Sequence, residues 1–186
     1  MHTERGHYYH CYNRGNNKQD IFNEEADYLY LVGLLKKNNQ RINIGMIAYC
    51  LIPNHSHLLL RQDGKTQVSR FIQSTFQSYA QRFNNKYQRT GRLYENPNPP
   101  KRIDDEDYLF QVCRYIHRNP LEAGLVKNLA NWPYSNYPEF IEIRNGILYL
   151  KYLVTEWFVS PEKYRKFAEG MDKGFDNIRP YLFEKR

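Results

Sequence analysis

Apolar residues recur along this chain with two different periods. His7 to Asn13 (HYYHCYN), Ile42 to Leu51 (INIGMIAYCL) and His55 to Arg61 (HSHLLLR) are short runs rich in aromatic and aliphatic side chains, bounded by turn residues, and each reads as a β-strand. Arg14-Gly15-Asn16-Asn17 is a turn after the first strand. Ile52-Pro53-Asn54 is a short connection that sets the second and third strands next to each other, as in a hairpin. Helical spacing begins at Asn23-Glu24-Glu25, with Tyr28, Leu31, Leu34 and Leu35 on one side, and Asn38-Asn39-Gln40 is predicted to close that helix. Val68 to Tyr87 carries the longest stripe: Val68, Phe71, Ile72, Thr75, Phe76, Tyr79 and Phe83.

The second half is less regular. Thr90-Gly91 opens a stretch, GRLYENPNPPKRI, whose prolines forbid a central strand, so at most an edge strand is expected around Lys101 to Ile103. Asp104-Asp105-Glu106 puts acidic groups at a helix N-terminus. Leu109, Val112, Cys113 and Ile116 form the core face of that helix, and Pro120 is predicted to stop it near Arg118. Gly146 to Phe158 and Ser160 to Gly170 read as two C-terminal helices, the second capped by Ser160 with Pro161 in its first turn. The order β-α-β-β-α-(β)-α predicts an α+β fold: a ferredoxin-like antiparallel sheet with helices packed on one face, over residues 1–140, followed by a C-terminal helical extension over 141–186.

Composition narrows the function classes. At 186 residues the chain can bury a core without covalent staples. Cys11, Cys50 and Cys113 form no CxxC pair, which argues against a disulfide framework or a thiolate zinc site and fits a reducing, cytoplasmic setting. The N-terminus has no apolar signal region, and the longest apolar runs are too short to cross a bilayer, so no membrane association is expected. The net charge of +7 draws the chain to polyanions, and 17 tyrosines supply rings that stack on unpaired bases or fill half-buried positions.

The candidate chemistry lies in Pro53-Asn54-His55-Ser56-His57-Leu58-Leu59-Leu60. Strand alternation points His55 and His57 to the same face, where two neutral imidazoles make half of a metal site. Taken alone, such a pair is more often incidental. Tyr115 and Asn119, four apart on the helix before Pro120, share a face about 6 Å apart along its axis. If that face meets the histidines, two ring nitrogens and an amide oxygen could bind a divalent cation beside a phenol. Such a cation polarises a phosphoryl oxygen, and a tyrosine hydroxyl can attack phosphorus. Nitrogen and oxygen donors suit Mg²⁺ or Mn²⁺ at a DNA phosphate, without excluding zinc.

In this order and spacing the motifs are specific. PNHSHLLL at 53–60, RYIHRNPLEAGLV at 114–126, WPYSNY at 132–137 and the opening YHCYNRG at 9–15 resemble the HUH-type single-strand DNA transposases, most closely the REP-associated tyrosine transposases, over roughly residues 7 to 140. The resemblance implies that His55, His57 and Asn119 are metal ligands and Tyr115 the nucleophile. It implies cleavage and rejoining of single-stranded, hairpin-containing DNA through a 5′-phosphotyrosine. Family members include monomers and homodimers that exchange the tyrosine helix, and the sequence does not choose between them. LYENPNPPKRI departs from the compact LFQGRFK-type stretch of the family. Arg14, in the turn after the first strand, is a candidate DNA contact, as are Arg114 and Arg118 beside the tyrosine, whose bland alternative is a solvated helix edge. His117 is read as structural or DNA-facing and His10 as a hydrogen-bonding group in the sheet. Two rival readings stay open: a domesticated hairpin-binding protein without cleavage activity, and an unrelated metal hydrolase that activates water.

Overall fold

A computed structural model describes residues 3–95, 98–146 and 156–170. The elements are β1 (Tyr8–Arg14), a 3-10 turn (Asn16–Lys18), α1 (Glu25–Ile42), β2 (Ile44–Ile52), β3 (His55–Gln62), α2 (Val68–Lys86), β4 (Lys101–Ile103), α3 (Glu106–Glu122), a second 3-10 turn (Leu129–Asn131), the one-turn α4 (Tyr137–Phe140) and α5 (Pro161–Glu169). The strands form one sheet in the order β2-β3-β1-β4, antiparallel at every junction. This is the expected ferredoxin-like arrangement, down to the short edge strand at Lys101–Ile103.

Strand alternation sorts the core into two layers. Tyr9, Cys11, Leu58 and Leu60 point toward α1 and α2 and join the cluster of Leu31, Leu35, Phe71 and Phe76. Ile47, Cys50, Ile52 and Leu59 point the other way and pack with Leu109, Val112 and Ile116 of α3, Tyr137 and Phe140 of α4 and Tyr164 of α5. The expectation of helices on one face therefore holds for the crossover helices α1 and α2, while α3 covers the opposite face. Covered on both sides, β2 is buried at all nine positions, and its sequence is accordingly a continuous apolar run rather than an alternation.

Three local expectations change. α1 runs past Asn38-Asn39-Gln40 to Ile42. Asn38 is buried and donates from Nδ2 to Thr75 Oγ1 of α2 at 2.9 Å, and Asn39 Oδ1 accepts from the Ile44 amide at 3.1 Å. These partners satisfy amides that would otherwise favour a turn, and the helix ends at Asn43, left-handed at φ 58°. α3 likewise runs through Pro120 to Glu122. In the last turn the missing N–H costs a single ladder bond, the one to the Ile116 carbonyl, and the turn still closes through the Ala123 amide on the Asn119 carbonyl and the Leu125 amide on the Pro120 carbonyl, both at 2.9 Å. Thirdly, WPYSNY is a clip along the outer edge of β2. Trp132 Nε1 donates to the Leu51 carbonyl at 2.9 Å, the Leu51 amide donates to the Tyr134 carbonyl at 2.9 Å, and Cys50 bridges to Ser135. An edge strand is thereby denied to other chains.

Ser160 caps α5 as expected, and of the acidic groups expected at the start of α3 Asp105 is the cap. Asp105 accepts from the Tyr108 amide at 2.7 Å at the start of α3, and Ser160 Oγ from the Lys163 amide at 3.2 Å at the start of α5. Most of the helix expected over 146–158 lies outside the described residues.

Candidate active site

α3 crosses the face of the sheet onto which His55 and His57 project. His55 Nε2 lies 3.1 Å from Asn119 Oδ1, and its Nδ1 lies 2.8 Å from Asn54 Oδ1. The rings of His55 and His57 meet edge-on with centroids 5.0 Å apart, and the Tyr115 ring stands edge-on to His57 at 5.2 Å. The four residues singled out in the sequence therefore converge. They are nearly closed to solvent: His57 is 0 % exposed, Tyr115 4 %, Asn119 5 % and His55 8 %. The opening is thus at the His55 and Asn119 end, with His57 at the floor.

Two residues that the motifs did not single out as part of the site enclose it from β1. His10 stacks on His57 with centroids 5.2 Å apart, and its Nε2 lies 3.0 Å from His57 Nδ1. Tyr12, paired directly with His57 in the sheet, lies 4.8 Å from the His57 ring and 5.5 Å from the His55 ring. The signal was present as the period of two along β1, which puts residues 8, 10, 12 and 14 on the histidine face once β1 is known to neighbour β3.

Burial keeps these imidazoles neutral. Desolvation, with the Lys101 charge as a second cause, pushes His10 down to about 3. Desolvation and the neighbouring His55 and His10 hold His57 well below the ordinary histidine value. A neutral imidazole has one N–H and one lone pair. With His57 Nδ1 bonded to His10, its Nε2 is left buried with no hydrogen-bond partner; in the tautomer whose Nδ1–H donates to His10, that Nε2 presents its lone pair to a proton donor or a cation. Among the described residues no three His, Cys, Asp or Glu side chains are grouped to hold a metal. The donor set here is two imidazoles and an amide, and it fits a divalent cation with open positions.

The three arginines part company. Arg14 is paired directly with His55, so it shares the histidine face, and its Nε is buried with no hydrogen-bond partner. Arg114 is 1 % exposed. Its Nη2 donates to the Gly170 carbonyl and its guanidinium sits 5.3 Å from the Phe167 ring. Arg118 donates to the carbonyls of Ala168 at 3.0 Å and Gly170 at 3.4 Å and pairs with Glu122 at 3.0 Å. Rather than facing solvent beside the tyrosine, both cap the C-terminal end of α5, where carbonyls lack helical partners. His117 is structural. Asn136 accepts the Tyr49 amide on Oδ1 at 2.7 Å and donates from Nδ2 to the Ile47 carbonyl at 2.8 Å, which fixes its amide orientation. His117 Nε2, 2.9 Å from that same Oδ1, must therefore donate, and its Nδ1 accepts from the Tyr164 hydroxyl at 2.5 Å.

The family model for IS200-like transposases matches residues 3–119, more than half of the chain and all four of the converging residues. The chain belongs to the IS200-like transposase family. It is 27 % identical over 103 residues to a REP-associated tyrosine transposase of Haemophilus influenzae, a match covering 49 % of this chain and 57 % of that relative. This chain thus matches only a little over half of the relative's length. Its fold is similar to the solved structure of a REP-associated tyrosine transposase bound to a REP hairpin, with a TM-score of 0.61, 16 % identity, and coverage of 80 % of this chain and 90 % of that one. Among the described residues no helix is long and apolar enough to cross a membrane.

Proposed function

We propose that this protein is a metal-dependent transposase that cuts and rejoins single-stranded DNA beside a hairpin, with Tyr115 as nucleophile and His55, His57 and Asn119 as ligands of Mg²⁺ or Mn²⁺. The observation that carries the reading is the buried, unpartnered Nε2 of His57 beneath the edge of Tyr115, with Asn119 Oδ1 at His55 Nε2. The hairpin as substrate is supported by the relatives in the family, one of which is solved on a REP hairpin.

The chain's own groups have separable tasks. Arg14, across the sheet from His55, offers a guanidinium to a phosphate at the mouth of the site. The cation, when bound, polarises the scissile phosphoryl group. Tyr115 Oη attacks the phosphorus and loses its proton. The bond to the 3′ oxygen breaks, and that oxygen leaves as a 3′-hydroxyl after taking up a proton. The 5′-phosphate stays on Tyr115, so the phosphoester is conserved and the reverse attack by a 3′-hydroxyl reseals the strand. Asn119 Nδ2, bonded to the Tyr115 carbonyl, ties ligand and nucleophile into one helical turn.

The test is a labelled hairpin oligonucleotide with a single-stranded flank, incubated with Mg²⁺ or Mn²⁺ and run on a denaturing gel. A protein–DNA adduct is expected with the wild type and none with Tyr115→Phe or chelator. Cleavage undiminished in Tyr115→Phe would overturn the nucleophile assignment and point to water activation. Hairpin binding without any cleavage would reduce the protein to a binding module.

A further inference from the structure

A trough runs along the outside of α2, on the far side of the sheet from Tyr115, between that helix and the segments at Gly91–Glu95 and Asn98–Pro100. It consists of two adjoining hollows of about 410 and 570 Å³ that share Gln77, Ala80, Tyr94 and Glu95. Gln73, Gln77, Gln81 and Asn84 line its α2 wall. At spacings of four, four and three they form one stripe about 16 Å long. Phe76 and Tyr94 stand edge-on at 5.5 Å in its wall. Two polar atoms are left over among these lining residues. The Tyr94 hydroxyl and Asn84 Oδ1 are buried with no hydrogen-bond partner.

We infer that this trough binds a short run of unpaired DNA bases flanking the cleaved phosphate. Primary amides present donor and acceptor together, which matches the edge of a base, and aromatic rings offer faces for stacking. The wall carries one carboxylate, Glu95, and one guanidinium, Arg92, so no net positive charge draws the phosphate backbone into the trough and its amides and rings are left to the bases. The trough also begins where the catalytic face ends. Asn13 lines it, while the next residue, Arg14, projects to the histidine side, and the Glu95 amide donates to the Arg14 carbonyl at 2.9 Å. A strand leaving Tyr115 and passing over the end of β1 would meet the trough at Asn13. Gly91–Glu95 and Asn98–Pro100 thus form its second wall.

The inference rests on the DNA-cleavage reading, and the experiment separates the two. Three probes are compared by fluorescence anisotropy: a blunt DNA hairpin, the same hairpin with a single-stranded flank, and the flank alone. Gln73 and Gln77 are exposed, so the double variant Gln73→Ala/Gln77→Ala keeps the core intact. The flank is expected to add about tenfold affinity in the wild type, lost in the double variant, with blunt-hairpin binding unchanged. A flank that adds nothing, or whose gain survives the double substitution, overturns the trough and leaves the hairpin reading standing. Binding of the flank alone, sensitive to the substitutions, with no hairpin binding, supports the trough and removes the hairpin. If neither is bound, both fall.

Discussion

His10 Nε2 and His57 Nδ1 face each other at 3.0 Å in the floor of the site, both on rings without solvent exposure. For His57 Nε2 to offer its lone pair to a cation, Nδ1 must carry the proton and donate it to His10. On that reading His10 is a positioning residue that accepts this proton and holds the ring angle. His10→Phe removes the acceptor at similar volume and is expected to lower Mn²⁺ affinity by about 10–100-fold, read by electron paramagnetic resonance titration. His10→Gln, which restores an acceptor oxygen, is expected to recover part of it. Equal affinity in all three proteins would show that His57 does not depend on this bond.

Arg14 is expected to touch phosphate and not a base, since it flanks His55 at the mouth. Arg14→Ala should weaken hairpin binding to a similar extent across DNA sequences and reduce the slope of log affinity against log salt by about one. A slope equal to that of the wild type would place Arg14 away from the DNA.

Asn136 holds three buried partners at once, the Tyr49 amide, the Ile47 carbonyl and His117 Nε2. Asn136→Ala strands all of them and should cost roughly 3 kcal/mol or more of folding stability, from about 1–3 kcal/mol per unsatisfied group. Urea denaturation measures it. A loss below 1 kcal/mol would mean that water replaces the amide there.

Acid should unfold the protein partly through His117. Desolvation pushes it down to about 4, opposed in part by the bond to Asn136. An unfolded histidine titrates near 6.5, so between those values the unfolded chain binds a proton that the fold refuses. Stability is then lost as the pH falls from about 6.5 toward 4, by up to about 1.4 kcal/mol per pH unit for this group. His117→Gln should flatten the curve by one proton in urea titrations between pH 7 and 5. An unchanged slope would assign the acid sensitivity to other groups.

How much of this was written in the sequence follows from the range of each interaction. Alternation along a strand put His55 and His57 on one face, and helical spacing put Tyr115 and Asn119 on another. The caps at Asp105 and Ser160 needed only their neighbours, and the three-residue β4 was marked by the prolines before it. These are local rules, and they hold locally. The extension of α1 through Asn38 and the withdrawal of Arg114 and Arg118 under α5 each depend on a residue far along the chain, Thr75 and Gly170, while the passage of α3 through Pro120 rests on the bonds that close its own last turn. Above all, only the tertiary structure brought the two faces together. The placement of α3 on the sheet face opposite α1 and α2, and of β1 beside β3 so that His10 and Tyr12 close the floor, arises from packing across the whole sheet, which no period within a single element encodes.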